Sequence, residues 1–250
     1  AIDTFAWPTV ATILIAIMHA NNETGSIQPI AEIGSLADAH GIVFHTDAAQ
    51  SAAKVEIDVN AMGVSLLSLA GHKMYAPKGI GALFIRRGLE LPPFCHGAGQ
   101  ESGRRAGTEN VIHIAGLGKA CEIAARDGRD DRARMKQLRD RLHQGIAGAV
   151  SEVRLNGPPD LRLPNTLNLS FHGLEANRIL EEIGLEVSAS AGAACHSGTV
   201  TLSHVLTAMQ IPEAWAKGSV RFSLGKMTTK TQIDQAVSAV AGAVARLRRK

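Results

Sequence analysis

Aromatic residues, cysteines and long apolar runs are all scarce in this sequence. Aromatic side chains make up 4% of its 250 residues, so the core must rest mainly on Ala, Val, Leu and Ile. Three cysteines in a chain of this length do not form a disulfide framework, and no C-x-x-C pair suggests structural zinc. These features predict a reducing, intracellular setting and no metal site.

The sequence also has little excess of charge of either sign. The net charge is +3, and the only basic cluster, the terminal "RLRRK", is interpreted as a solvated helix end rather than a nucleic-acid patch. The apolar run "TVATILIAIMHA" is too short to cross a bilayer and lacks the basic start of a signal peptide. The sequence therefore predicts a cytoplasmic protein that binds neither nucleic acid nor membrane.

Short apolar runs alternate with helical patterns along the chain. Strands are predicted at Thr12–Met18, Gly41–His45, Val64–Leu69, Gly81–Ile85, Thr166–Phe171 and Ser219–Leu224. Helices are predicted at Pro29–His40, Glu109–Arg126, Asp131–Val150, Leu174–Ile183, Ser203–Met209 and Thr231–Arg249. Continuous apolar strands alternating with helices predict an α/β fold with a mainly parallel sheet. The charged stretch near residue 126 is the predicted boundary between a large domain, 1–125, and a small domain, 126–250.

Two predicted strands end in chemically active residues. "GIVFHTDAAQ" brings His45, Asp47 and Gln50 to the end of one strand, and "SLLSLAGHK" brings His72 and Lys73 to the end of another. Ligands of open α/β sheets collect beyond the carboxyl ends of strands. An acid and an amine placed there are what a pyridoxal phosphate site requires, since the amine condenses with the aldehyde and the carboxylate holds the ring nitrogen protonated. An ordinary ion pair between the two side chains is the alternative.

Six motifs, in order, carry a resemblance to a known family: "MHANNETG", "HTDAAQ", "GHKMYAPKGIGAL", "GRRAGTEN", "GAACHSG" and "VRFSLGK". With them the chain resembles the pyridoxal-phosphate-dependent cysteine desulfurases and selenocysteine lyases of the class-V aminotransferase family. The resemblance runs from about Thr12 almost to the C-terminus. It implies the PLP-transferase fold of type I, with an incomplete large domain and a smaller α+β C-terminal domain.

The resemblance also implies roles for residues of the cofactor site. Lys73 matches the lysine that forms the Schiff base with the cofactor and then moves the substrate's α-proton as a general base. Asp47 matches the partner of the pyridinium nitrogen. Asn22 and Gln50 match positions that hydrogen-bond the ring oxygen or the Schiff-base region. Asn22 is also expected to contact the substrate. His72 matches a contact of the phosphate.

Two further matches concern the partner subunit and the substrate. Thr108 matches a residue that reaches the phosphate of the neighbouring subunit, which implies a homodimer. Arg221 matches the clamp on the substrate carboxylate, a task suited to a planar, two-pronged donor. A strand-end arginine in a surface ion pair is the alternative for Arg221.

The sulfur chemistry is expected at Cys195, in the small-residue stretch "SASAGAACHSG". A thiolate in such a loop could attack the substrate sulfur and leave as a persulfide. The adjacent His196 either lowers the pKa of this thiol or is a polar residue without a role. Cys121 lies in an apolar helical stretch and is predicted to be a packed core thiol. Cys95 lies in a loop and receives no role.

The sequence departs from the family pattern in two places. Ala70 stands where many cysteine desulfurases have a serine that contacts the phosphate, which leans toward the branch that includes selenocysteine lyases. The family's long N-terminal segment, with a phosphate-binding turn and a stacking ring, has no counterpart here. We therefore expect the chain to correspond to the C-terminal two-thirds of such an enzyme. Expressed alone, it is expected to bind pyridoxal phosphate weakly or not at all.

The predicted function is that of a cysteine desulfurase, which removes sulfur from L-cysteine to give L-alanine and a persulfide on Cys195. The resemblance further implies a sulfur-acceptor protein and a link to iron–sulfur cluster assembly. Three alternatives remain at this point: a selenocysteine lyase acting on L-selenocysteine, a truncated inactive binding module, and an ordinary class-V aminotransferase.

Overall fold

The computed structural model describes residues 12–191, 194–196 and 199–249, and for residues 194–196 and 199–201 it describes the backbone alone. The chain divides into two compact units. The first unit contains the described residues up to His19, Gln28–Ala52 and Glu56–Ala124. The second unit contains Ala20–Ile27, Ala53–Val55 and the described residues from Ala125 onward.

The first unit is built on a four-stranded sheet. Its strands are β1 (Leu14–Met18), β2 (Val43–Asp47), β3 (Leu66–Ala70) and β4 (Gly81–Ile85), in that spatial order. The pairs β1–β2 and β2–β3 are parallel, and β4 runs antiparallel to β3. This arrangement confirms the predicted α/β fold with a mainly parallel sheet, and the predicted bounds of β4 are correct.

One face of this sheet holds the core of the first unit. Phe44 and Thr46 of β2 are fully buried, and helix α1 (Ile30–Ala39) packs on this side. The packing is close because Gly34 carries no side chain: an added Cβ would lie 2.2 Å from the backbone oxygen of Met62. The opposite face is more exposed.

Helix α2 (Val111–Ala149) is continuous over 39 residues, so the prediction of two helices separated by a charged break was wrong. The charges in this stretch form pairs along the helix instead, including Arg134–Asp131 at 3.1 Å and Lys136–Asp140 at 3.1 Å. Such i,i+3 and i,i+4 pairs stabilise a helix rather than interrupt it.

The described residues of the second unit form an antiparallel sheet, a hairpin and four further helices. The strands are β5 (Val153–Leu155), β6 (Thr166–Phe171), β7 (Ser190–Ala191), β8 (Ala194–His196), β9 (Thr199–Thr201) and β10 (Ser219–Ser223). The helices are α3 (Ala176–Ile183), α4 (His204–Ala208), α5 (Glu213–Ala216) and α6 (Lys230–Leu247). The sheet has the order β5-β6-β10-β7, and β8 pairs with β9.

The central strand of this sheet, β6, is buried on both faces. Its apolar side chains Leu167, Leu169 and Phe171 pack into the core of the second unit with side chains of α3 and α6. Its alternate residues are polar and equally buried, with Asn168 and Ser170 both fully inaccessible. Buried polar side chains need hydrogen-bond partners: Nδ2 of Asn168 donates to the backbone oxygen of Glu23, and Oγ of Ser170 accepts from Nδ2 of Asn156. None of the described helices is long and apolar enough to cross a membrane.

Candidate active site

The carboxyl end of β2 carries Asp47, which is exposed. Its backbone oxygen accepts a hydrogen bond from the backbone N–H of His19 at 2.8 Å, and its Oδ1 accepts one from the N–H of Ala49 at 2.7 Å. The second of these bonds forms a tight turn directly after the strand. The turn sets Gln50, which is half-buried, three residues beyond the aspartate.

The carboxyl end of β3 carries Lys73. After Ala70 the chain enters a short 3-10 helix, Gly71–Met74, which ends at Tyr75 in the left-handed region with φ 67°. Gly71 is required at this turn, because an added Cβ would lie 2.8 Å from the backbone oxygen of Ile80. Lys73 is half-buried and His72 is exposed.

These two ends lie on the same edge of the sheet. The register pairs Asp47 with Ser68, and β3 continues only two residues further, to Ala70, before the turn that carries Lys73. Because β2 and β3 are parallel neighbours, both chains leave the sheet on this side. The structure thus brings the backbone positions of the predicted amine and carboxylate to neighbouring strand ends.

Two residues at this edge were assigned no role from the sequence. Ser68 lies opposite Asp47, and its Oγ is 3.2 Å from Nε2 of His45, the histidine two residues before the aspartate. His19 follows β1 and is buried, and burial lowers the pKa of its imidazole. At neutral pH His19 is therefore uncharged.

In the second unit the structure brings Arg221 and Asn22 together. Nη1 of Arg221 donates a hydrogen bond to the backbone oxygen of Asn22 at 2.9 Å, and Nη2 donates to Oγ of Ser190 at 3.1 Å. The guanidinium is thus held at two corners. The side chain of Asn22 is exposed.

Glu23, next to Asn22, contacts the residue that begins helix α4. Its Oε2 accepts a hydrogen bond from Oγ of Ser203 at 2.5 Å, while the same serine oxygen caps α4 by accepting from the N–H groups of Val205 and Leu206 at 3.1 and 3.3 Å. The pattern S-H-V-L signals a helix start, but nothing in the sequence connects Ser203 with Glu23, 180 residues earlier.

The remaining predicted residues are placed less completely. Thr108 is exposed in the loop before α2. The backbone of Cys195 lies in β8 opposite Val200, whereas the side chains of Cys195 and His196 lie outside the described part of the structure.

The other two cysteines are described fully. Cys95 is exposed, in its predicted loop. The prediction that Cys121 is a core thiol was wrong: it is exposed on α2, because the helix turns its neighbour Ala120 inward instead.

Two curated relatives resemble the chain over most of its length. It is 45% identical over 238 residues to a cysteine desulfurase IscS from Dictyoglomus turgidum, covering 95% of this chain and 60% of the relative. It is 46% identical over 238 residues to a cysteine desulfurase NifS from Azotobacter vinelandii, covering 94% of this chain and 59% of the relative. The chain thus spans about 60% of the length of these relatives.

Solved structures resemble the chain as well. A NifS-like protein matches with a TM-score of 0.85 and 31% identity, covering 94% of this chain and 62% of that one. The structure titled "SspA in complex with cysteine" matches with a TM-score of 0.69 and 39% identity, covering 87% of this chain and 60% of that one. The match to the NifS-like protein confirms the predicted fold, which is the PLP-transferase fold of type I. Residues 8–236 match the family model described as aminotransferase class-V, so the chain belongs to the class-V aminotransferase family.

Proposed function

We propose that this protein is a cysteine desulfurase that takes sulfur from L-cysteine and depends on pyridoxal phosphate. The observation that carries the proposal is the common sheet edge of Asp47 and Lys73, in a chain 45% identical to a curated cysteine desulfurase. An exposed carboxylate and a half-buried amine at neighbouring strand ends fit a ring that needs an acid at its nitrogen and an amine at its aldehyde.

The class-V cysteine desulfurases as a family depend on this cofactor. When bound, it supplies an electron sink for the carbon skeleton of an amino acid. Asp47 would pair with the ring nitrogen, Lys73 would hold the aldehyde carbon, and His72 would contact the phosphate. Gln50 and Asn22 would donate hydrogen bonds around the ring.

Each step of the proposed reaction is assigned to a residue of the chain. Arg221 binds the substrate carboxylate with N–H groups of its fork, and Lys73 moves the proton at Cα. The thiolate of Cys195 attacks the substrate Sγ, so that an S–S bond forms, the Cβ–Sγ bond breaks and its electron pair stays with Cβ, which is then protonated. L-cysteine and the Cys195 thiol thereby become L-alanine and a Cys195 persulfide, with no external oxidant.

The persulfide implies an acceptor protein for its outer sulfur, and we propose the cytoplasm and iron–sulfur cluster assembly as the setting. We also propose a homodimer, in which Thr108 contacts the phosphate in the neighbouring subunit. The exposure of Thr108 and of Val111 and Ile112, at the start of α2, supports this proposal.

The experiment measures sulfide released from L-cysteine by the chain with excess pyridoxal phosphate and a reductant. We expect Lys73→Ala and Cys195→Ala to abolish release, and mass spectrometry to find the extra sulfur on Cys195. Cys95→Ala and Cys121→Ala, which each remove an exposed thiol, are matched controls expected to keep activity. Absence of release from the wild type would contradict the proposal. Release of selenide from L-selenocysteine, with no release of sulfide from L-cysteine, would replace it with a selenocysteine lyase.

A further inference from the structure

The segment Asn22–Gly25 is fixed through its backbone oxygens. Four consecutive carbonyl groups each accept a hydrogen bond from a different residue of the second unit. In order along the segment, the donors are Nη1 of Arg221 (2.9 Å), Nδ2 of Asn168 (3.0 Å), Nη2 of Arg162 (2.7 Å) and the backbone N–H of Leu163 (2.8 Å). The position of this segment is therefore set by three side chains and one backbone N–H far away in sequence, and not by its own turn alone.

Arg162 is the most deeply buried charge in this set. It is 5% exposed, and its Nη2 also donates to the backbone oxygen of Asn156 at 2.9 Å. Burying a guanidinium is costly unless hydrogen bonds replace its water, and here the acceptors are two main-chain oxygens. Nε is buried and has no partner among the described residues. A surface location would avoid this cost, so the burial indicates a specific task.

The charge of Arg162 persists at neutral pH. Burial, followed by repulsion from Arg139, lowers the pKa of Arg162 to about 10. The group therefore remains protonated at pH 7 and keeps its donors. A charged donor makes a stronger hydrogen bond to a carbonyl oxygen than a neutral one does.

We propose that Arg162 is a positioning residue for substrate binding. By holding the oxygen of Thr24 it fixes the segment, hence the oxygen of Asn22, and hence the orientation of the Arg221 guanidinium. As far as the substrate is concerned, the inference rests on the proposed function, in which Arg221 binds a carboxylate. The chemistry requires this precision because a two-pronged contact is lost when the fork rotates.

The test compares Arg162→Met and Arg162→Lys with the wild type. Arg154→Met is the matched control, because Arg154 lies on β5, close in sequence, and is exposed. Hydrogen exchange followed by mass spectrometry measures the opening of residues 20–27 in the chain itself. Steady-state kinetics with excess pyridoxal phosphate measure KM and kcat for L-cysteine.

We expect exchange at residues 20–27 to be about tenfold faster in Arg162→Met, with the rest of the second unit unchanged. KM should rise about tenfold, while kcat changes much less, because the loss falls on binding of the carboxylate. Arg162→Lys, which keeps the charge but not the fork, should lie between Arg162→Met and the wild type. Arg154→Met should match the wild type in both measurements.

Unchanged exchange at residues 20–27 would overturn the proposal. Faster exchange with an unchanged KM would also overturn it, because Arg162 would then be structural only. If Arg162→Met speeds hydrogen exchange throughout the second unit, the test is decided by Arg162→Lys. For that variant the same two quantities are compared with the wild type: exchange at residues 20–27 and KM for L-cysteine. Should the wild type release no sulfide, the proposed function fails, and exchange alone decides whether Arg162 holds the segment.

Discussion

Arg221 and Ser190 lie opposite each other on β10 and β7, and Nη2 of the arginine is 3.1 Å from Oγ of the serine. Nη1 of the same guanidinium contacts the backbone oxygen of Asn22 at 2.9 Å. A flexible arginine is thus fixed before any substrate arrives, so little side-chain entropy remains to be lost on binding.

Arg221→Lys should raise KM for L-cysteine about tenfold, because an ammonium group cannot replace a two-pronged fork. Ser190→Ala removes one of the two holding contacts, and its effect on KM should have the same direction but be smaller. Steady-state kinetics measure both variants. An unchanged KM in Arg221→Lys would exclude this arginine as the carboxylate clamp.

A buried polar cluster joins two strands of the second sheet, β6 and β10, to the loop that follows β5. Nδ2 of Asn156 donates to Oδ1 of Asn168 and to Oγ of Ser170, both at 2.7 Å, and Oγ of Ser219 donates to Oδ1 of Asn168 at 2.8 Å. All four residues are fully buried.

Ser219→Ala should therefore lower the free energy of unfolding by about 1–3 kcal/mol, since it removes one donor from a buried oxygen. Ser238→Ala is the matched control: this serine is exposed on α6, and its Oγ donates to the backbone oxygen of Asp234. Its effect should stay within about 0.5 kcal/mol. Urea denaturation measures both. Equal effects would mean that the cluster is not a significant source of stability.

Gly34→Ala should destabilise the protein by about 2 kcal/mol, because the new methyl group has no room between α1 and the backbone of Met62. Gly118→Ala provides the opposite case, as nothing lies within 4 Å of an added Cβ there. In a helix interior this change should stabilise the protein by about 0.5–1 kcal/mol. Thermal denaturation distinguishes them. A stabilised Gly34→Ala would contradict the packing of α1.

A buried histidine, His19, and a half-buried one, His143, should make the protein sensitive to mild acid. Burial lowers the pKa of His19, and burial, followed by repulsion from Arg162, lowers the pKa of His143. Below about pH 6.5 the unfolded chain therefore binds more protons than the folded one. The free energy of unfolding should fall as the pH falls through this window.

Urea denaturation at about pH 7.5 and about pH 5 measures this dependence. His143→Asn and His19→Asn should each make the difference between the two pH values smaller. A difference that stays at its wild-type size in both variants would assign the acid sensitivity to other groups.

Local patterns in the sequence were sufficient to predict most of the fold. Continuous apolar strands and a helix pattern identified the parallel sheet and α1, since both signals depend on neighbours in sequence. The same reasoning failed at residues 126–131, because a charged stretch looks alike in a loop and on an exposed helix face. It also missed β5 and β7, which are only three and two residues long.

The candidate site was predictable where strand ends bring residues together, as for Asp47 and Lys73. It was not predictable where the contact joins distant parts of the chain. Arg162 and Thr24 are 138 residues apart, Asn168 and Glu23 are 145 apart, and Arg221 and Asn22 are 199 apart. No local pattern carries information about such hydrogen bonds, so the anchoring of the Asn22 segment emerges only from the structure.

The most direct test of the central claim identifies the amine that holds the cofactor. Because the chain alone is expected to bind pyridoxal phosphate weakly, it is incubated with the cofactor in large excess, reduced with borohydride, digested and mapped by mass spectrometry. Lys78→Arg, an exposed neighbour, is the control for Lys73→Arg. We predict that the pyridoxyl group is found on Lys73 in the wild type and in Lys78→Arg, and is lost in Lys73→Arg. The same labelling in all three proteins, or a label confined to another lysine, would contradict the account.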